Sequence, residues 1–371
     1  MKITKLETLY VRPRWVFLRM HTDEGLVGWG EPVVEGWSRT TAAAVAEMGR
    51  YLIGKDPRRV EHHWQAIYRG GFYRGGPVLT SALSGIEQAM WDLKGKALGV
   101  PVHEMLGGRV RDRVRVYAHV GGATPEEKAA SAREKAAAGF TALKTSPSMA
   151  ARFVESAAFV ERAVERIAAI REAVGGEVDI GIDCHGRLSP AVAARLCEAL
   201  SPLHPMFIEE PVPPGDVDAL AAVARKTTVP IAAGERLFTR WGFREVLEKR
   251  AAAILQPDLS HAGGILEVRK IAALAEAYNV ALAPHCPLGP ISLAAGLQVD
   301  ACTPNFLCQE QVCLGEGYLR RPFELRDGHL AVPDGPGLGI EIDEDALAEQ
   351  LYDGSWETPR LWHEDGSVAD W

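Results

Sequence analysis

Long apolar runs are missing from this chain. None of its 371 residues sits in a stretch approaching the roughly 18 needed to cross a bilayer. The opening segment, Met1-Lys2-Ile3-Thr4-Lys5, is charged and turns at once into a strand-like run, unlike a secretory leader. Cysteine is sparse. Cys184, Cys197, Cys286, Cys302, Cys308 and Cys313 form no C-x-x-C pair and no compact zinc signature. They are expected to be reduced core thiols of a cytoplasmic protein. Positive charge is also in deficit, 41 basic against 49 acidic side chains, for a net charge of −8. That balance argues against a general nucleic-acid binder and a polybasic membrane anchor. It leaves an anionic small-molecule partner open, because a local metal can outweigh the global field. No G-x-G-x-x-G follows the first strand, which weakens a doubly wound dinucleotide-binding reading.

The composition is that of a soluble globular protein, with 47% hydrophobic and 24% charged residues. The length fits a barrel with an accessory domain. Residues 1–112 read as an α+β unit. Strand-like runs at Ile3–Tyr10, Trp15–Thr22 and Leu26–Glu31 precede helical stretches at Ser38–Leu52, Val60–Tyr68 and Thr80–Leu98. In the last, Leu83, Ile86, Met90, Leu93 and Leu98 form an apolar stripe. Over residues 113–319 strands and helices alternate. Strands are expected at Val114–Val120, Thr141–Lys144, Val178–Asp183, Met206–Glu210, Pro230–Glu235, Ala252–Asp258, Val280–His285 and Phe306–Glu310. Thr124-Pro125-Glu126-Glu127 reads as a capping box, and a longer helix is expected over Ala150–Val174. Eight short apolar strands with helices between them predict an α/β fold built on a parallel (β/α) barrel. Residues 320–371 lose the repeat and are expected to return to the N-terminal unit.

Polar residues able to do chemistry end successive strands: Asp183, Glu209, Glu235, Asp258, His285 and Glu310, spaced 23 to 27 residues apart. In a barrel such strand ends converge on one mouth, whereas an open sheet would spread them along a line. Three crowded carboxylates, Asp183, Glu209 and Glu235, repel one another. A divalent cation relieves that repulsion, and oxygen-only ligands suit Mg2+ or Mn2+ rather than zinc. Pairing with Arg187 and Arg236 is the structural alternative. His185 lies two residues past Asp183, so continued strand geometry would turn it into the same mouth. Asp258 beside His285 would fix the imidazole tautomer and raise its basicity. Two histidines flanking a metal site suggest an acid and a base. Lys144 and Ser146 end the second strand, where Lys144 could meet a substrate carboxylate or pair with a metal ligand.

Several segments resemble the enolase superfamily, mandelate racemase subgroup. They are Gly181-Ile182-Asp183-Cys184-His185-Gly186-Arg187, Phe207-Ile208-Glu209-Glu210-Pro211, Ala233-Gly234-Glu235-Arg236, Leu255-Gln256-Pro257-Asp258 and Ala283-Pro284-His285-Cys286-Pro287. The likeness runs nearly end to end, through Trp29-Gly30-Glu31-Pro32, Gly71-Phe72-Tyr73-Arg74 and the tail His363–Trp371, and is greatest to galactonate-dehydrating members. It implies a (β/α)7β TIM-like barrel with an α+β N-terminal capping domain completed by the C-terminal tail. Cap loops near residues 15–35 and 65–77 would close over the substrate. It also implies one Mg2+ per subunit, with Mn2+ as a possible substitute, on Asp183, Glu209 and Glu235. By the same resemblance His285, supported by Asp258, is the base, His185 the acid, and Glu310 a hydrogen-bonding partner of the enediolate. Lys144, Ser146, Arg187 and Tyr73 would contact substrate.

The implied reaction is loss of water from a sugar acid, D-galactonate first, giving 2-dehydro-3-deoxy-D-galactonate. Gluconate or a pentonate, an epimerase or racemase of the same superfamily, and a non-catalytic binding protein are the alternatives. The racemases carry Lys-x-Lys at the end of the second strand. Here Lys144-Thr145-Ser146 stands there, which disfavours a two-base racemase. Galactonate dehydratases tend to have Asn where Ser146 stands, a different hydrogen-bond set, and the stretch 147–153 departs from their pattern too. A homo-oligomer, dimer to octamer, is expected from barrels of this type.

Overall fold

In the computed structural model, which describes residues 1–147 and 150–371, the chain opens with an antiparallel sheet of β1 (Ile3–Val11), β2 (Trp15–Thr22) and β3 (Val27–Gly30). Helices α1 (Ser38–Leu52), α2 (Val60–Gly70), α3 (Pro77–Leu98) and α4 (Val102–Met105) follow. Helix α3 begins three residues earlier than its apolar stripe suggests, because Pro77 supplies a preformed first turn. Leu83, Ile86, Met90 and Leu93 are buried, whereas Leu98 is exposed at the last residue before the left-handed Gly99 cap. Helix α3 lies directly on β3. A Cβ on Gly30 would stand 1.9 Å from the Gly85 carbonyl oxygen, so only glycine permits this approach.

The barrel follows. Its elements are β4 (Arg113–Arg115), β5 (Ala118–His119), α5 (Pro125–Ala137), β6 (Ala142–Thr145), α6 (Ala157–Val174), β7 (Asp179–Asp183) and α7 (Pro190–Leu200). They continue with β8 (Phe207–Glu209), α8 (Val217–Ala224), β9 (Ile231–Ala233), α9 (Thr239–Glu248), β10 (Ile254–Leu255), α10 (Ile265–Ala277), β11 (Ala281–Leu282) and α11 (Pro290–Ala301). Strands β5 to β11 form one parallel sheet in sequence order. Residues 306–310 close it as an eighth strand. On one side Leu307 donates its N–H to Leu282 (2.7 Å); on the other Gln309 donates to Arg115 (2.9 Å) and Tyr117 to Gln309 (3.3 Å). The result is a (β/α)7β barrel. Tyr117, Ala142, Phe207, Ala232, Ile254, Ala283 and Cys308 fill its interior as one buried layer. Gly181 makes room there: a Cβ would meet the Phe207 ring at 2.5 Å.

Two expected elements divide differently. The run Val114–Val120 is two strands, because the chain changes partners. β4 pairs with a strand near the tail, and Val116 then bridges to Gln309 as the chain enters the barrel. The helix expected over Ala150–Val174 begins only at Ala157, where Ser156 accepts the Phe159 N–H as an N-cap (3.2 Å). Of the stretch 147–153, residues 148 and 149 lie outside the described residues. The Thr124 capping box forms as expected at the start of α5.

The remaining elements are β12 (Leu325–Arg326), β13 (His329–Ala331), α12 (Glu344–Glu349) and a hairpin of β14 (Leu361–Trp362) and β15 (Val368–Ala369). β13 pairs with β4. Beyond α12 the chain runs along β1: Arg12 donates to the Gln350 carbonyl (2.8 Å) and Tyr352 to that of Tyr10 (3.1 Å).

Candidate active site

The barrel ladder sets the carboxylates side by side. Asp183 and Glu209 are register partners on β7 and β8, and Glu235 follows β9, the next strand. One oxygen from each lies within 4.8 Å of the others. Lys144, at the end of β6, sits against the same cluster. Its Nζ is 3.1 Å from Asp183, 2.9 Å from Glu209 and 3.1 Å from Glu310. Burial works against the Lys144 ammonium, but these carboxylates outweigh it and hold its pKa well above the ordinary value. One lysine leaves negative charge in excess. Burial and the Asp183 charge push Glu209 well above the usual carboxylate range, and burial with Glu210 pushes Glu235 up to about 7. Three convergent hard oxygen donors with unrelieved repulsion fit a divalent cation of the Mg2+ type.

The histidines flank this cluster. Asp258 and His285 bridge in the ladder, and Asp258 Oδ2 lies 2.8 Å from His285 Nδ1. That contact places the proton on Nδ1 and leaves Nε2 toward the cavity, 3.3 Å from Glu235. Burial opposes the imidazolium, but Glu310, Glu235 and Asp258 raise the His285 pKa well above its ordinary value. An ion on Glu235 would lessen that hold.

His185 reaches the cavity by a different route from the one the alternation suggests. β7 stops at Asp183, and His185 (φ 52°) and Gly186 (φ 68°) form a left-handed turn. The turn is pinned by the His185 N–H, which donates to Asp183 Oδ1 (2.9 Å), and it brings Nε2 to 3.3 Å from Asp183 Oδ2. Burial pushes the His185 pKa down to about 4. Glu310 accepts the Cys286 N–H (2.9 Å) and lies 2.8 Å from His119 Nε2.

A cavity of about 470 Å³ opens over these groups, lined by Lys144, Asp183, His185, Glu235, His285 and Glu310 among others. Glu209 and Asp258 are buried behind that wall. Arg187 is buried beside Trp371, and Ser146 is half-buried; neither lines the cavity. Tyr73 lies outside it, 84% exposed on the loop after α2, where its ring meets that of Phe72. Arg236 pairs chiefly with Glu210 and stands 3.6 Å from Glu235.

Sequence reasoning missed several lining residues. His119 ends β5 and stands 25 residues before Lys144, inside the same strand-end rhythm, so its signal was present. Arg14, Glu35, Trp356, Thr358 and Trp371 also line the cavity, from segments without barrel periodicity. Glu35 lies 3.7 Å from His261 Nε2. Burial would raise its carboxyl, yet His261 and Arg14 hold it down at about 2.

Two domain families match the chain: the mandelate racemase / muconate lactonizing enzyme N-terminal domain over residues 7–107, and the enolase C-terminal domain-like family over residues 127–346. The D-galactonate dehydratase of Ralstonia nicotianae is 51% identical over 382 residues, covering 100% of both chains. That of Cronobacter sakazakii is 49% identical over 383 residues with the same coverage. Among solved structures, an enolase from Agrobacterium radiobacter with Na and L-malate bound superposes with a TM-score of 0.93, at 33% identity and 100% coverage of both chains. A mandelate racemase/muconate lactonizing enzyme from Jannaschia sp. superposes with a TM-score of 0.89, at 34% identity, covering 95% of this chain and 98% of that one.

Proposed function

This chain belongs to the enolase superfamily, and from that membership we propose that it is a Mg2+-dependent dehydratase of D-galactonate, forming 2-dehydro-3-deoxy-D-galactonate. The observation that carries the reading is the placing of two histidines on opposite sides of one tri-carboxylate cluster, His185 beside Asp183 and His285 beside Glu235. Full-length relatives named D-galactonate dehydratase at about half identity support the substrate.

Asp183, Glu209 and Glu235 would hold the ion. When bound, Mg2+ supplies positive charge that stabilises the dianion formed as the proton α to the substrate carboxylate leaves. A histidine base working beside Mg2+ is the established pattern of enolase-superfamily sites and not a result of this geometry. His285 Nε2, its tautomer set by Asp258, takes the C2 proton. Lys144, set among the same carboxylates, would hold the substrate carboxylate oxygens as they gather charge, whereas Glu310, kept ionised against burial by Lys144 and His285, would do so only once it takes up a proton. His185, across the cavity, gives a proton to the departing 3-hydroxyl; burial holds its pKa at about 4, so it carries that proton once the negative charge of the bound substrate raises the pKa. The enol then becomes the 2-keto-3-deoxy acid.

Incubating the Mg2+-loaded protein with a panel of aldonates and aldarates, read by 2-keto acid formation, tests the reaction. D-Galactonate is expected to lose 18 Da. An unchanged mass with inverted C2 would mean an epimerase instead. General acid and base groups each supply roughly 10²–10⁴-fold. His185→Asn should therefore lose most dehydration while His285 still exchanges the C2 proton with solvent deuterium. Near-full dehydration by that variant would break the two-histidine assignment.

A further inference from the structure

The tail of the chain supplies part of the wall of the barrel mouth. Trp356, Thr358 and Trp371 line the same cavity as His185. Trp371 does so by direct contact: its ring stands 5.6 Å from the His185 ring, nearly perpendicular at 88°. The Arg187 guanidinium carbon lies 6.0 Å from the Trp371 ring centroid, so the indole stands beside His185 in the left-handed turn and beside Arg187, which follows it.

The backbone of that turn is pinned, by His185 on Asp183 and by Gly186 on the Glu210 carbonyl, but the His185 ring is held less than the other groups of the site. His285 is locked by Asp258, and Lys144 by three carboxylates. His185 has Asp183 on its Nε2, whereas its buried Nδ1 has no hydrogen-bond partner among the described residues. Its ring therefore takes its orientation from packing as well as from hydrogen bonds. An edge-to-face aromatic contact is directional and adds to what area burial alone contributes. The hairpin that leads to the half-exposed indole is itself held in place. The β14–β15 hairpin is closed by the His363 N–H on Ser367 (2.8 Å), and its tip Asp365 pairs with Arg152 of the barrel (2.9 Å).

We propose that Trp371 is a positioning residue for His185, holding the imidazole toward the hydroxyl that leaves. This rests on the reading of His185 as the acid, and it separates the two half-reactions. Removing the indole disturbs departure of the hydroxyl but not abstraction of the C2 proton, since no contact links Trp371 to His285 among the described residues.

Three variants of the Mg2+-loaded enzyme test it with D-galactonate in deuterated buffer. Trp371→Ala is expected to lose about tenfold in kcat for dehydration, a fraction of what the acid supplies, while C2 exchange stays within about threefold. Exchange events per dehydration therefore rise. Trp371→Phe keeps an aromatic face and is expected to recover most of the loss. Trp362→Phe, on the exposed face of the same hairpin, should change neither rate. Equal loss of both half-reactions in Trp371→Ala, or no loss of dehydration, overturns the proposal. An independent readout is the NMR signal of the His185 ring, assigned with His185→Asn. Loss of the indole ring current should shift it in Trp371→Ala and much less in Trp362→Phe, and an unmoved signal overturns the contact. Failure of the wild-type protein to dehydrate any aldonate would instead overturn the dehydratase reading, while the ring signal would still decide the contact.

Discussion

The Lys144 ammonium lies within 3.1 Å of three buried carboxylates, and without a bound ion it offsets part of their charge. Removing one partner of a buried charge cluster costs about 3–5 kcal/mol, because the charges left behind stay desolvated and uncompensated. Lys144→Met keeps the length of the side chain and removes the charge. It is expected to lower the metal-free unfolding free energy by about 3 kcal/mol, and Mg2+ should restore more stability to the variant than to the wild type. Urea unfolding in chelator and in excess Mg2+ measures both numbers. Equal midpoints in chelator would mean that the carboxylates are relieved in some other way.

At the same scale, the sequence made the strand-end residues visible because a barrel imposes one spacing on them. Asp183, Glu209, Glu235, Asp258, His285 and Glu310 fall within one beat of that spacing and meet at one mouth. His185 was legible for the wrong reason, since a turn and not strand alternation delivers it. Arg14, Glu35 and Trp371 were not legible as neighbours, because their contacts close across most of the chain and no local period records them.

Among the elements, two barrel helices begin on glutamates from the N-terminal unit. Glu31, just past β3, accepts the N–H groups of Gly289 (2.6 Å) and Ser292 (2.9 Å) at the start of α11. Glu87 on α3 accepts those of Ile265 (2.7 Å) and Leu266 (3.0 Å) at the start of α10, together with the Trp91 indole N–H (2.6 Å). Each satisfies backbone donors that a helix N-terminus leaves without partners and so ties the two units together. Caps within one segment, such as Thr124 with Glu127, could be read from four consecutive residues. These two could not, because the partners lie 258 and 178 residues apart. Burial pushes both carboxyls up to about 8. With a folded pKa above the unfolded value of 4.5, the stabilising contribution is complete below about pH 4.5 and is lost as pH rises toward 8. Glu87→Gln does not titrate and turns an amide NH2 toward helix donors, leaving buried donors unsatisfied. It should cost about 2–3 kcal/mol at pH 5, and its deficit against wild type should narrow between pH 5 and pH 8. A deficit that stays constant between pH 5 and pH 8 would show that the buried carboxylate is ionised throughout.

For the molecule as a whole, the candidate metal site joins three of the eight strands: β7 through Asp183, β8 through Glu209 and the end of β9 through Glu235. Unfolding separates those strands, so an ion held there binds the native state alone and its free energy adds to global stability. At a hundredfold excess over Kd this is about 2.7 kcal/mol. One of the three, Glu235, weakens the fold when no ion is bound, because burial and Glu210 hold its carboxyl at about 7, above its unfolded value of 4.5. As pH rises through that interval the wild-type protein loses stability that a non-titrating side chain would keep. Glu235→Gln removes the repulsion and the negative charge of one metal ligand in a single step. At pH 8 with chelator the variant should therefore melt at or above the wild-type temperature, and in saturating Mg2+ the order should reverse. Calorimetric melts of the two proteins across a Mg2+ titration would show the curves crossing. Parallel curves would place the ion away from Glu235, and a wild-type protein indifferent to Mg2+ would remove the ion from the site altogether.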